Sequence, residues 1–181
     1  MLISRKLKEE NIAEYLLYMW QIEDIIRANN LDIDLIKTNY IDKYQFDNDE
    51  SRSEMVHWYE DLAEMMRSEG AAEKGHLQIN KNILILLTDL HLQLLRSPKY
   101  PFYSAAYYKA LPFIVELRRK SGSDQSGELE TCFNALYGIW LLRLQGKEVS
   151  EDTKQAMVSI TQFIGLLSDY YKKDKQQPLE F

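Results

Sequence analysis

The chain has 181 residues, with 22 Lys and Arg against 28 Asp and Glu, a formal net charge of −6 and one cysteine, Cys132. That length suits a single domain able to bury its own core. The charge opposes a general role on DNA or RNA, and one thiol excludes an intramolecular disulfide. The opening MLISRKLKEE lacks the apolar core of a signal peptide, so a cytoplasmic location is expected.

Residues 9 to 29 read as the first helix, because Ile12, Tyr15, Leu16, Met19, Ile22 and Ile26 recur at spacings of three and four, and Asn29 and Asn30 end it. A short second helix follows over about 32 to 44, with Ile33, Ile36, Tyr40 and Tyr44 on one face. QFDNDE is then a loop. Ser51 and Glu54 form an S-x-x-E capping box that opens a helix to about Ser68, with Met55, Tyr59, Leu62 and Met66 as its buried stripe. Between Asp47 and Glu73 nine acids face two bases, an acidic surface suited to a basic partner.

Gly70 and Gly75 bracket a turn before the most apolar part of the chain, Leu77 to Arg96. At about 100° per residue, Ile79, Ile83, Leu86, Leu87, Leu90 and Leu94 share a broad face. Leu77, Leu84 and Leu95 occupy a second sector, and Ile85 and Leu92 a third. A helix apolar on nearly all sides is expected at the centre of a fold. Its longest uninterrupted apolar run, Ile83 to Leu87, is far short of the roughly 20 residues of a membrane span.

SPKYP stops that helix. The next, FYSAAYYKALPFIVELRRKSG, carries Pro112 and is expected to kink or break near Leu111. The linker SGSDQSG follows, where Asp124 or Ser126 caps a helix over about 127 to 145 that Gly146 ends, with Leu129, Phe133, Leu136 and Trp140 on its core side. Ser150, followed by Glu151 and Asp152, opens the last helix, whose stripe is Ala156, Ile160, Phe163, Ile164, Leu167 and Tyr171. The tail from about 173 to 181 is expected to be disordered. The basic clusters Arg118 to Lys120 and Lys172, Lys173, Lys175 lie where helices end and complement the macrodipole. With no alternating strand pattern, the expectation is an all-α, single-domain bundle of about seven helices around residues 77–96.

Catalytic signatures are missing from the sequence. There is no G-x-S-x-G elbow and no phosphate loop, and Cys132 reads as a small buried apolar residue beside Phe133. A carboxylate-bridged di-iron centre needs two E-x-x-H pairs and two further Glu, a set not found here. A three-histidine site from His57, His76 and His91 is opposed by the exposed phase of His57. No metal and no cofactor is therefore expected.

Two features remain. Glu23 falls inside the apolar stripe of the first helix, where a carboxylate needs a partner; Arg27 lies at i+4, and Asn80 and His91 lie between the apolar sectors of the central helix. A contact between Glu23 and His91 is expected, as a satisfied interhelical network or as a ligand site. The aromatic cluster Tyr100, Phe102, Tyr103, Tyr107, Tyr108 and Phe113 around two prolines fills a core or lines a small-molecule cavity.

The strings NIAEYLLYMWQIEDIIRA, WYEDLAEMMRSEGAAEKGHLQINKN, TDLHLQLL and YSAAYYKALPFIVELR resemble a domain-of-unknown-function family of about this length from Bacteroides-type bacteria. The resemblance implies a bacterial cytosolic protein of one domain and assigns no activity, cofactor or binding residue. The functional expectation is a non-enzymatic cytosolic interaction protein that self-associates, with Tyr15, Tyr18, Trp20 and Trp58 at the interface. The alternative is a small-molecule or metal-binding bundle with an interior polar site built on Glu23, Arg27, Asn80, His91 and Tyr107.

Overall fold

The computed structural model describes residues 2–121 and 127–181. Among the described residues there are eight α-helices, one 3-10 turn and no strand, so the fold is all-α. No helix is long and apolar enough to cross a membrane among those residues. Backbone contacts divide the chain into two compact units, Met1–Glu10 with Glu14–Ile83, and Asn11–Ala13 with Leu84–Phe181.

The first unit holds α1 (Leu2–Glu10), α2 (Ile12–Ala28) from Glu14 onward, α3 (Ile33–Asn39), a 3-10 turn at Ile41–Lys43, α4 (Asp49–Ser68) and the start of α5 (Gln78–Arg96). The eighth helix is α1, in a stretch to which no helix is assigned from the sequence, and the helix expected from residue 9 begins instead at Ile12. Asn11 ends the regular pattern by accepting the Ala13 amide on its own Oδ1 at 3.2 Å, a local bond that competes with helix continuation.

α2 closes with the Leu31 amide on the Ile26 carbonyl and the Asn30 amide on the Arg27 carbonyl, both at 2.9 Å, and with Asn30 left-handed at φ 55°. Leu31 is also left-handed, at φ 59°, which a branched side chain rarely adopts. Its burial and a 2.5 Å bond from Arg67 Nη2 to its carbonyl hold it there.

α4 starts earlier than the Ser51 capping box implies. Asn48 is the N-cap, its Oδ1 taking the Ser51 amide at 2.8 Å, and Asp49 and Glu50 occupy the positive end of the helix dipole. The helix buries Val56, Tyr59, Leu62, Ala63 and Met66. It stops at Gly70, whose φ of +68° lets the Ala71 amide return to the Met66 carbonyl.

The second unit holds the rest of α5 with α6 (Pro101–Ser121), α7 (Glu128–Leu144) and α8 (Glu151–Gln176), the last three each packed on the other two. Asp124 and Ser126, expected as caps of α7, lie outside the described residues; Gly127 occupies the N-cap position. Ser150 caps α8 as its sequence predicts, accepting the Thr153 amide. That helix continues to Gln176, past the point near 173 where fraying is expected. Beyond it the Leu179 amide bonds to Asp174, and Tyr100 Oη donates to the Glu180 carbonyl at 2.8 Å.

Two expectations about the apolar helices change. α6 runs as one helix through Pro112, so of the kink or break expected near Leu111 the break does not occur; the ring sits on an exposed face, where water can take the carbonyl that loses its helical partner. α5 buries one stripe, made of Asn80, Ile83, Leu87, Leu90, His91 and Leu94, while Ile79, Ile85, Leu86 and Leu92 are exposed. Since a proline inside an exposed helix costs about 3 kcal/mol relative to alanine, Pro112→Ala is expected to stabilise the chain by roughly 1–3 kcal/mol, measured as a higher urea midpoint with unchanged slope.

Candidate functional site

The interior polar residues singled out in the sequence fall into two clusters. In the first unit Glu23 is completely buried on α2. Its Oε1 accepts the Leu77 amide at 2.9 Å and Asn80 Nδ2 at 2.7 Å, and its Oε2 lies 2.6 Å from His76 Nδ1. Trp20, one turn earlier on α2, stacks on the His76 ring with centroids 4.1 Å apart. The carboxylate thus sits at the N-terminus of α5, where amides lack helical partners and the dipole favours negative charge. α5 brings no acidic residue of its own to its first turn, and Glu69 supplies a second acceptor, taking the Gln78 amide at 2.6 Å.

Arg27 plays a part beyond the one expected. It makes the expected i,i+4 ion pair with Glu23 Oε2, at 3.9 Å, but gives its hydrogen bonds to Asp24 Oδ1 and to the carbonyls of Ala71 and Gly75. Gly75 is left-handed at φ +83°, so the turn between α4 and α5 is bent by glycine and clamped by a guanidinium. Asn80 gives Nδ2 to Glu23, and its Oδ1 is buried without a hydrogen-bond partner among the described residues.

His91 is not the partner of Glu23; that place belongs to His76. In the second unit His91 is buried on α5, its Nδ1 2.7 Å from Tyr103 Oη, with the rings of Tyr107 and Phe163 edge-on at 4.9 and 5.4 Å. Burial holds its pKa below the usual histidine value, against a smaller opposing pull from Glu128. Burial also drives the Tyr103 hydroxyl well above its ordinary range. Tyr107 Oη donates to Glu128 Oε2 at 2.8 Å. Tyr103 and Tyr107 are core residues here, whereas Phe102 and Tyr108 of the same aromatic cluster face solvent.

Every oxygen of Glu23 is occupied by protein donors, and the Cys132 thiol, fully buried, is pushed up to about 12 by burial and then by Glu128. Among the described residues no group of three or more His, Cys, Asp and Glu side chains stands close enough to hold a metal ion.

A family model described as a domain of unknown function, DUF4924, matches residues 1–178. The chain belongs to this family. No curated protein and no solved structure matches it. In this family member, His76 and Glu128 are the participants that sequence reasoning does not place in these clusters, and Tyr103 is read from the sequence only as part of the aromatic cluster. His76 sits in a turn, where helical phase carries no information, and its only sequence signal is the neighbouring Gly75.

Two measurements test these assignments. Glu23→Ala strands the Leu77 amide, the Asn80 amide group and His76, and is expected to cost about 3 kcal/mol in urea unfolding; Glu23→Gln, which keeps an acceptor, is expected to cost about a third of that. For His91 the folded value is depressed, so its stabilising contribution is complete above about pH 6.5 and is lost as acidification protonates the unfolded chain first. The fall in thermal stability from about pH 7.5 to 5.5 is expected to be smaller in His91→Gln than in the parent.

Proposed function

We propose that this protein is a non-catalytic cytosolic interaction module that pairs with a second copy of itself through α6. The observation that carries this reading is a row of large side chains left in solvent on that helix. Tyr108 is 63% and Val115 56% exposed, and Phe102, 82% exposed, lies outside the row on a neighbouring face. Pro101, Ala105, Tyr108, Pro112 and Val115, all exposed, repeat at spacings of four and three, which is the seam of a two-helix contact. A contiguous exposed apolar row of this kind marks an interaction surface on a soluble protein.

A second copy fits the row by symmetry. Antiparallel pairing of two α6 helices about position 110 seats Val115 opposite Ala105 and Tyr108 opposite Pro112 of the other copy, so large side chains meet small ones twice over. α7 supports the same reading. Leu136, Ile139, Trp140, Leu141 and Leu142 lie around several sides of that helix and are all only half-buried. A helix apolar on all sides wants more cover than this.

The interface differs from the one expected of the aromatic residues in the first unit. Tyr15 and Trp20 are core residues with 6% and 2% exposure, and Tyr18 and Trp58 are half-buried. The net charge of −6 supports a partner other than nucleic acid, and a buried protonated thiol at Cys132 is in keeping with a reducing compartment.

Sedimentation equilibrium over a concentration series is expected to give a mass approaching twice the 21.4 kDa chain, and Tyr108→Glu with Val115→Glu to return the single-chain mass with helical content unchanged. A parent protein of single-chain mass throughout overturns the reading.

A further inference from the structure

A groove of about 480 Å³ in the first unit lies between α1, the first turn of that unit's α2 segment and α4. Its two walls carry opposite charge. Arg5 and Lys8, one turn apart, line it from α1. Glu54, Trp58 and Asp61, spaced by four and three, line it from α4. Tyr15, 6% exposed, forms the base.

The charges facing each other across this groove are not joined. Among the described residues, Arg5, Glu54 and Asp61 make neither an ion pair nor a hydrogen bond, and Lys8 rests over the Tyr15 ring, 5.5 Å from its centroid. Some exposed charges of the same unit close onto neighbours, as in Lys37 with Asp34, Arg52 with Asp42, and, on α4 itself, Arg67 with Glu64, while others, such as Lys43 and Glu50, do not. Even His57, on the groove's own rim, turns to Glu60 at 3.0 Å. The walls therefore keep a guanidinium and two carboxylates available on either side of an aromatic strip, within a volume in the range of small-ligand sites.

We propose that this groove binds a short peptide with free termini, a dipeptide or tripeptide. Its C-terminal carboxylate meets the planar fork of Arg5, which suits a carboxylate better than a point charge does. Its N-terminal ammonium meets Glu54 and Asp61. An aromatic or aliphatic side chain lies against Trp58 and Tyr15, adding apolar contact to the two charge contacts. A purely anionic ligand is disfavoured by the α4 wall, and a purely cationic one by Arg5 and Lys8. Only a molecule carrying both signs, separated by a few ångströms, uses both walls.

The test is calorimetric titration of the full chain with alanyl-phenylalanine, alongside its N-acetylated and C-amidated forms. The uncapped dipeptide is expected to bind, and capping either end to weaken binding by tenfold or more. Arg5→Gln is expected to remove the effect of C-terminal amidation, and Glu54→Gln with Asp61→Asn the effect of N-acetylation. These side chains are on the surface, so the variants keep the parent's circular dichroism and urea midpoint. No heat or chemical-shift change with the dipeptide at about 10 mM overturns the proposal, as does binding that is indifferent to capping. Because the groove belongs to the first unit and the self-pairing row to the second, the titration of the Tyr108→Glu, Val115→Glu chain separates a failure here from a failure of the self-association reading.

Discussion

A carboxylate with no exposed surface has to find donors inside the protein, and the first unit is arranged around satisfying one. Glu23 receives the Leu77 amide, the Asn80 side chain and His76, so α2 holds the start of α5 by a charge placed on its positive end. The sequence before α5 has no Ser, Thr, Asp or Asn at the capping position, Leu77 standing there instead. Glu23 and Glu69 replace the missing local cap from elsewhere in the chain. Arg27, one turn beyond Glu23, then fixes the turn that precedes α5 by holding the carbonyls of Ala71 and Gly75. One helix face of α2 thereby fixes a neighbouring turn and the helix that follows it.

The polar cluster of the second unit works by different contacts. His91, Tyr103 and Tyr107 are joined by hydroxyl bonds and ring edges, burial lowering the pKa of the histidine and raising those of the tyrosines, with Glu128 in the first turn of α7 accepting the outermost hydroxyl. A hydrogen-bonded network of this kind fixes rotamers. Most polar groups of both clusters are taken up within the protein, whereas an apolar row on α6 and a set of charges between α1 and α4 lie on the surface. Pro112 belongs to that division too. It is tolerated because it faces solvent, where water can take the carbonyl that its missing N–H leaves free.

The helices were largely legible from spacing alone, because the apolar periodicity of α2, α4 and α8 records which face is buried. Ser150 capping α8 and Gly70 ending α4 are local signals, and local signals survive folding intact. What spacing did not carry was competition between neighbours. Asn11 reads as an ordinary residue in a helical run yet divides α1 from α2, and Asn48 takes the cap that Ser51 and Glu54 were suited to. In α5 an apolar sector is present whether or not anything covers it, so Ile85 and Leu86 look like core in the sequence and are exposed in the fold. The burial of Glu23, Asn80 and His91 followed from helical phase. Their pairing did not, because His76 reaches Glu23 from a glycine-bent turn.

The cap on α5 has a consequence for the order in which the chain folds. The bonds from Glu23 to Leu77 and Asn80 span 54 and 57 residues. A helix with a Ser or Asp at its own N-cap can form its first turn as soon as that stretch of chain exists. The first turn of α5 instead waits for a loop of that length to close, and closure of such loops is slow compared with helix growth. The apolar middle of α5 can therefore coil before its start is capped from α2. During synthesis α2 has long been available when residue 77 emerges, so the acceptor is in place before the helix that needs it.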